Sequence, residues 1–203
     1  MDKRVLAVSG DVENLPVLYE NLAGRFPEER LHSYKQFDYL LRETDYKLIM
    51  LEREETGERI AYGVAYPVMG TGVIWLDYLT VLEKYQGQGY GQILFAVLMN
   101  HYREHGDTFL FMVEPDGPRR SVQFFEKQGA RCLPTCFFLP MPDGTGKEMN
   151  LLFRPFSKGY FLTARKQRDT LKSVYSLLLH DVDRPLRKKC EQRTVQTITD
   201  ESV

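Results

Sequence analysis

The chain contains no apolar run approaching the roughly 20 residues that cross a bilayer, so no membrane span is expected. Its first residues, Met1-Asp2-Lys3-Arg4-Val5, lead into a short mixed segment rather than the apolar core of a signal peptide. Cysteine is scarce. Cys132, Cys136 and Cys190 make an odd set that argues against a disulfide framework and reads as buried free thiols in a reducing cytoplasm. The x3 spacing of Cys132 and Cys136 has no second pair beside it. His101 and His105 share a helix face without an accompanying carboxylate motif, so no metal is expected and His105, next to Gly106, reads as a helix cap. Also missing are a Walker lysine and a dinucleotide fingerprint. Gln92 and Ile93 follow Gly91 where Lys and Ser/Thr would be needed, and Gln92 and Leu94 stand where the third glycine of G-x-G-x-x-G would fall.

What is present is an ordinary composition: 203 residues, 43% hydrophobic and 27% charged, enough for one well-buried domain and an appendage. The net charge of −1 conceals an asymmetry. Residues 1–153 carry 16 basic and 22 acidic side chains, whereas residues 154–193 carry 11 basic and 4 acidic.

Periodicity supplies the elements. Val5 to Ser9 reads as a strand, Asp11 as the cap of a helix carrying Leu15, Leu18, Leu22 and Phe26, and Leu31 to Glu43 as a second helix. Tyr46 to Glu52 and Ile60 to Val68 form a hairpin, and Val73 to Leu82 is a further strand. After a glycine-rich loop, Ile93, Leu94, Val97 and Leu98 repeat at helical spacing up to Gly106. Thr108 to Val113 is a buried strand, Ser121 to Gln128 a short helix, and Cys132 to Leu139 with Glu148 to Phe153 a final hairpin. The order β-α-α-β-β-β-α-β-α-β-β predicts an α+β (α/β-like) sheet with helices on both faces.

The segment richest in chemistry is Tyr85-Gln86-Gly87-Gln88-Gly89-Tyr90-Gly91, between a strand and a helix. The first amides of a helix lack internal partners and lie at the positive end of its dipole, so an anion such as a diphosphate is the natural guest. A turn with no ligand is the bland alternative. Gln86, Gly89 and Gly91 in the pattern Gln-x-x-Gly-x-Gly resemble the pyrophosphate loop of the GNAT acetyltransferase superfamily. Arg119-Arg120-x3-Phe124-Phe125-Glu126-x2-Gly129 is similar to a second segment of that family. The resemblance covers about residues 3 to 155. It implies a mixed, mostly antiparallel central sheet, acetyl-CoA as cosubstrate and an amine as acceptor.

The resemblance also implies residue roles. Main-chain groups of Leu79 and Val81 would pair with the pantetheine arm, with the Leu79 N–H polarising the thioester carbonyl. Gln86, Gly87, Gln88, Gly89, Tyr90 and Gly91 would take the diphosphate, and Thr80, Ser121, Phe124 and Phe125 would line the coenzyme. Asp77, a carboxylate in an otherwise apolar strand, is the first candidate base, directly or through a water. Burial raises a carboxylate's pKa toward general-base work. A hydrogen-bonding role in the sheet and contact with a cationic substrate are its alternatives. Glu114 is the second candidate, or else an anchor for substrate or a partner for Arg119. Phe125 aligns with a position where many family members have tyrosine, so the thiolate's proton must come from Tyr78, Tyr90, Tyr160 or water, or the thiolate must leave directly. An acyl-CoA-binding module with little turnover is the competing reading.

Residues 1–156 are therefore expected to form the acetyltransferase-like domain, 157–193 a basic helical extension, and 194–203 a disordered tail. In the extension Leu171, Val174, Tyr175 and Leu178 make an apolar stripe, Asp181 to Pro185 break it, and Arg187-Lys188-Lys189 start a polar tail. Packing on the acidic main domain, or on a second copy in a homodimer, is weighted above contact with nucleic acid or anionic membrane. The expected protein is a cytoplasmic N-acyltransferase, with a nucleic-acid-associated role the least favoured reading.

Overall fold

Six α-helices and seven strands follow one another in a computed structural model that describes residues 4–115 and 119–199, with positions 119 and 120 as backbone only. Strand β1 (Val5–Gly10) leads through a 3-10 turn into α1 (Leu15–Ala23) and α2 (Tyr34–Glu43). Strands β2 (Lys47–Arg53), β3 (Arg59–Val68) and β4 (Val73–Val81) precede α3 (Tyr90–Tyr102). Then come β5 (Thr108–Val113), α4 (Arg119–Lys127), β6 (Arg131–Pro140), β7 (Gly146–Pro155), α5 (Ala164–Leu177) and α6 (Arg184–Gln196). The sheet order is β1-β2-β3-β4-β5-β7-β6. Its ladders are antiparallel at β1/β2, β2/β3, β5/β7 and β6/β7, and parallel at β4/β5.

Contacts divide the chain into two compact units, Met1–Tyr66 with Leu76–His105, and Pro67–Trp75 with Gly106–Val203. In the first, the Asp11 side chain accepts from the Glu13 N–H while Asn14 accepts from the Asp11 N–H. This capping box starts the helical segment as its sequence predicts. Leu15, Leu18, Leu22, Phe37 and Leu40 are fully buried. Helix α3 buries Tyr90, Leu94, Leu98 and Tyr102 at four-residue intervals. It approaches β3 so closely that a Cβ at Gly63 would lie 2.7 Å from Leu98 Cδ1.

In the second unit, the parallel ladder joins Val73–Trp75 to Thr108–Leu110. The Trp75 and Phe137 rings lie 5.7 Å apart, and Phe137 stacks on Tyr175 of α5 at 4.7 Å. Strand β6 is an edge strand, a liability because unpaired N–H groups invite foreign strands. Helix α6 covers part of it: the N–H groups of Cys136 and Phe138 donate to the hydroxyls of Thr197 (3.0 Å) and Thr194 (2.9 Å). The Tyr175 hydroxyl donates to the Phe138 carbonyl at 2.6 Å.

The C-terminal region differs from the sequence expectation. The segment after Asp183 is a helix: Asp183 accepts from the Leu186 N–H and Pro185 occupies the first turn. It continues to Gln196, beyond the expected onset of disorder at 194, with Thr194 and Ile198 buried. Residues 200–203 of that expected tail lie outside the described residues. Hydrophobic periodicity could not find this helix because its covered positions are Cys190 and Thr194, small side chains that pack without reading as apolar. Helices α5 and α6 fall in the second unit together with β5–β7. Part of their basic charge has internal partners. Lys166 pairs with Asp107 at 2.8 Å, Arg187 donates to the Leu179 carbonyl, and Arg193 lies over the Phe138 ring. Cys132 is exposed and Cys136 half-buried, so only Cys190 is the buried thiol expected, since an edge strand leaves one face partly open. Burial, slight or complete, pushes all three thiols up, away from the reactive thiolate form.

Candidate active site

The glycine loop lies wholly in the first unit. Gly87 (φ 71°) and Gly89 (φ 90°) adopt left-handed backbone, and a Cβ at either would meet nothing within 4 Å. Glycine is therefore required by conformation rather than by crowding, and the loop faces open space. Gly89 is the N-cap of α3 and provides no side-chain cap. Its carbonyl accepts from the N–H groups of Gln92 and Ile93, one turn further in. Two exposed glutamines brace the loop: Gln86 Nε2 donates to the Val81 carbonyl at 3.1 Å and Gln88 Nε2 to the Lys84 carbonyl at 3.0 Å. Tyr85 and Tyr90 turn inward, buried and edge to face at 5.8 Å. The result is a turn presenting main chain at a helix N-terminus, the arrangement that binds anions.

Strand β4 leads into this loop. Asp77, Leu79 and Val81 alternate with buried Tyr78 and Thr80, so the first three share one face of the strand. Residue 77 as a whole is half-buried, yet its carboxylate side chain is only 3% exposed. What solvent reaches there is main chain.

The carboxylate itself sits among partners that sequence reading missed. Tyr46, just before β2, donates its hydroxyl to Asp77 Oδ2 at 2.5 Å. His32, just before the Ser33 cap of α2, brings Nε2 to the same oxygen at 2.7 Å. Edge-to-face contacts with Phe37 (5.3 Å) and Tyr78 (5.6 Å) hold the imidazole ring. The Tyr78 hydroxyl accepts from the His32 N–H at 3.1 Å and donates to the Arg30 carbonyl at 2.8 Å, tying the segment before α2 to β4. Burial first, then the neighbouring Asp77 charge, push the Tyr46 phenol well above its ordinary value, so it remains a neutral donor. One signal pointed here: a carboxylate expected to be buried in a strand must be met by donors from elsewhere.

The remaining candidates lie in the second unit. Glu114 is ion-paired with Lys147 at 2.8 Å rather than standing as an isolated acid, and the side chain of Arg119, its expected partner, is outside the described residues. Phe125 packs on Phe111 (4.3 Å) and Phe124 (5.0 Å), while Ser121 is exposed on α4. Of the tyrosines considered for protonating the thiolate, Tyr78 has its hydroxyl engaged twice and Tyr90 is buried. Tyr160 meets Lys166 at 3.4 Å, and burial raises its phenol. His105 Nδ1 donates to the His101 carbonyl at 3.1 Å, the capping contact expected at the end of α3. No group of three or more metal-ligating side chains occurs among the described residues.

A model of the acetyltransferase (GNAT) family matches residues 15–130, more than half of the chain and including β4, the glycine loop and α4. The chain belongs to this family. No curated protein matches it in sequence. Among solved structures it is similar to the ribosomal-protein-S18-alanine N-acetyltransferase of Escherichia coli, with 22% identity, a TM-score of 0.60, and 77% of this chain covered against 97% of that one. It is also similar to the spermidine/spermine N-acetyltransferase SpeG of Vibrio cholerae (10%, 0.60, 76% and 94%) and to NAA60 of Arabidopsis thaliana in complex with a bisubstrate analogue (11%, 0.61, 75% and 98%). At these identities the likeness is one of fold. No described helix is long and apolar enough to cross a membrane.

Proposed function

We propose that this protein transfers an acetyl group from acetyl-CoA to a primary amine by direct attack of the amine on the thioester. The observation that carries the reading is the uncapped N-terminus of α3 behind two left-handed glycines, in a chain that belongs to the GNAT family. The main chain of residues 86–91 would hold the diphosphate. Leu79 and Val81 would pair with the pantetheine arm, and the accessible main chain at 77 on the same face supports that reading. Thr80 extends the proposed coenzyme contacts along β4, and Ser121, Phe124 and Phe125 on α4 are the further contacts that family membership implies. The ammonium loses its proton at the Asp77 network; Glu114, held by Lys147, is the weaker candidate. With phenylalanine at 125, water protonates the departing thiolate. Thiolate is a fair leaving group, so the missing acid slows turnover without abolishing it.

A cationic amine suits the acidic charge of residues 1–153. Neighbours acting on a protein α-amine and on a polyamine are both consistent with that class.

Calorimetry with CoA and thiol release from acetyl-CoA across an amine panel test the reading. Expected are CoA binding and amine-dependent release. Binding without release from any amine would instead favour a coenzyme-binding module, the outcome that Phe125 motivates. No heat with CoA, while a nucleotide of equal charge binds, would overturn both.

A further inference from the structure

His32 and Asp77 are 45 residues apart in sequence, yet their side chains meet at 2.7 Å in a niche where His32 is 8% exposed and the Asp77 side chain 3%. A structural hydrogen bond would be served by two neutral groups. Burying a carboxylate against an ionisable ring carries a desolvation penalty that packing alone does not require. The ring also has two ends. With the carboxylate ionised, the contact requires the proton on Nε2, which leaves Nδ1 with its lone pair. No described residue hydrogen-bonds Nδ1, and it is not among the sealed polar atoms that lack a partner, so the remaining exposure of His32 includes it.

From this geometry we infer that Nδ1 of His32 is the atom that takes the proton from the acceptor amine, and that Asp77 and Tyr46 are positioning residues behind it. The inference rests on the acetyl-transfer reading above and names the base within it. The ammonium gives one proton to Nδ1, from which it passes to solvent. The neutral nitrogen bonds to the thioester carbonyl carbon, and the C–S bond breaks with its electron pair on sulfur. The second nitrogen proton is lost as the tetrahedral intermediate collapses, and water protonates the thiolate, so one proton is released per amide formed. Asp77 holds the ring in the tautomer that leaves Nδ1 open and stabilises the imidazolium. Tyr46, kept neutral, occupies part of the same carboxylate oxygen and fixes its direction. The titratable groups facing the ring are Asp77 and Tyr78 from β4 and Tyr46 from just before β2.

The test combines three measurements on the full chain. First, nitrogen NMR of the wild-type ring with CoA bound is expected to show the Nε2–H tautomer at alkaline pH. An Nδ1–H tautomer would overturn the inference without any variant. Second, His32→Gln is expected to lower kcat/KM for the amine by about 10²–10⁴-fold, with CoA affinity unchanged by calorimetry and the acid limb of the pH profile lost. Third, Asp77→Asn is expected to displace that limb and disturb the tautomer while retaining more activity than His32→Gln. Should His32→Gln keep both rate and pH limb while Asp77→Asn loses them, Asp77 is itself the base. The inference then fails while the proposed function stands. Failure of the wild type to release thiol would instead remove the parent reading, and the two failures are distinguishable on that ground.

Discussion

Each unit of the molecule buries a tyrosine in a polar network, and the two networks are built from different chemistry. Around Tyr46 the acceptor is a carboxylate that also faces an imidazole. Around Tyr175 the partners are the Phe138 carbonyl and the Thr194 hydroxyl, all neutral. The neutral network satisfies the main chain of an edge strand and anchors α5 and α6 against it, a task that needs no charge. The charged one couples the segment before α2 to β4 at a cost in desolvation. The difference separates polar burial explained by the fold from polar burial that asks for a chemical reason.

The sharpest way to break the comparison is to remove the charge. Asp77→Ala strands His32 and Tyr46 without their acceptor and is expected to destabilise the protein by about 3–5 kcal/mol in urea unfolding, as when one partner of a buried pair is lost. A loss below 1 kcal/mol would mean the niche is wetter than its geometry indicates.

A pair of hydroxyl deletions comes next. Tyr46→Phe removes a bond to a charged acceptor and is expected to cost about 2 kcal/mol, whereas Tyr175→Phe removes neutral bonds and is expected to cost about 1 kcal/mol. Burial raises both phenols, so the folded state holds protons that the unfolded state releases. Their contribution is complete below the unfolded value near 10 and declines as pH climbs above it toward the folded values. Stability measured from pH 9 to 11 should fall in the wild type, and less steeply in either variant.

The smallest effect is expected at the half-exposed pair. Glu114→Ala should change stability by about 0–1 kcal/mol, in keeping with screened ion pairs, and leave the pH profile of acetyl transfer intact. A lost limb in that profile would return Glu114 to the role of base.

Much of the fold was readable along the chain because its signals are local. Alternation located the strands, capping residues opened the 3-10 turn that leads into α1, and glycines at 87 and 89 marked a turn whose backbone only glycine adopts comfortably. The proposed coenzyme loop is legible for the same reason, since its proposed contacts are main-chain and contiguous. The niche around Asp77 was half legible. An acid in an apolar strand announced itself, but nothing in the spacing of His32 or Tyr46 placed them beside it, and the four histidines are scattered along the sequence. Helix α6 escaped because its covered face is made of cysteine and threonine.

Composition and local pattern alone therefore determined most element types, the position of the glycine turn and the membership of Asp77 in a strand, because turn conformation and burial periodicity act over a few residues. Only the tertiary structure decided which side chains meet that carboxylate and what covers the edge of β6. Those contacts join residues 31 to 61 positions apart, and sheet register and helix docking bring them together.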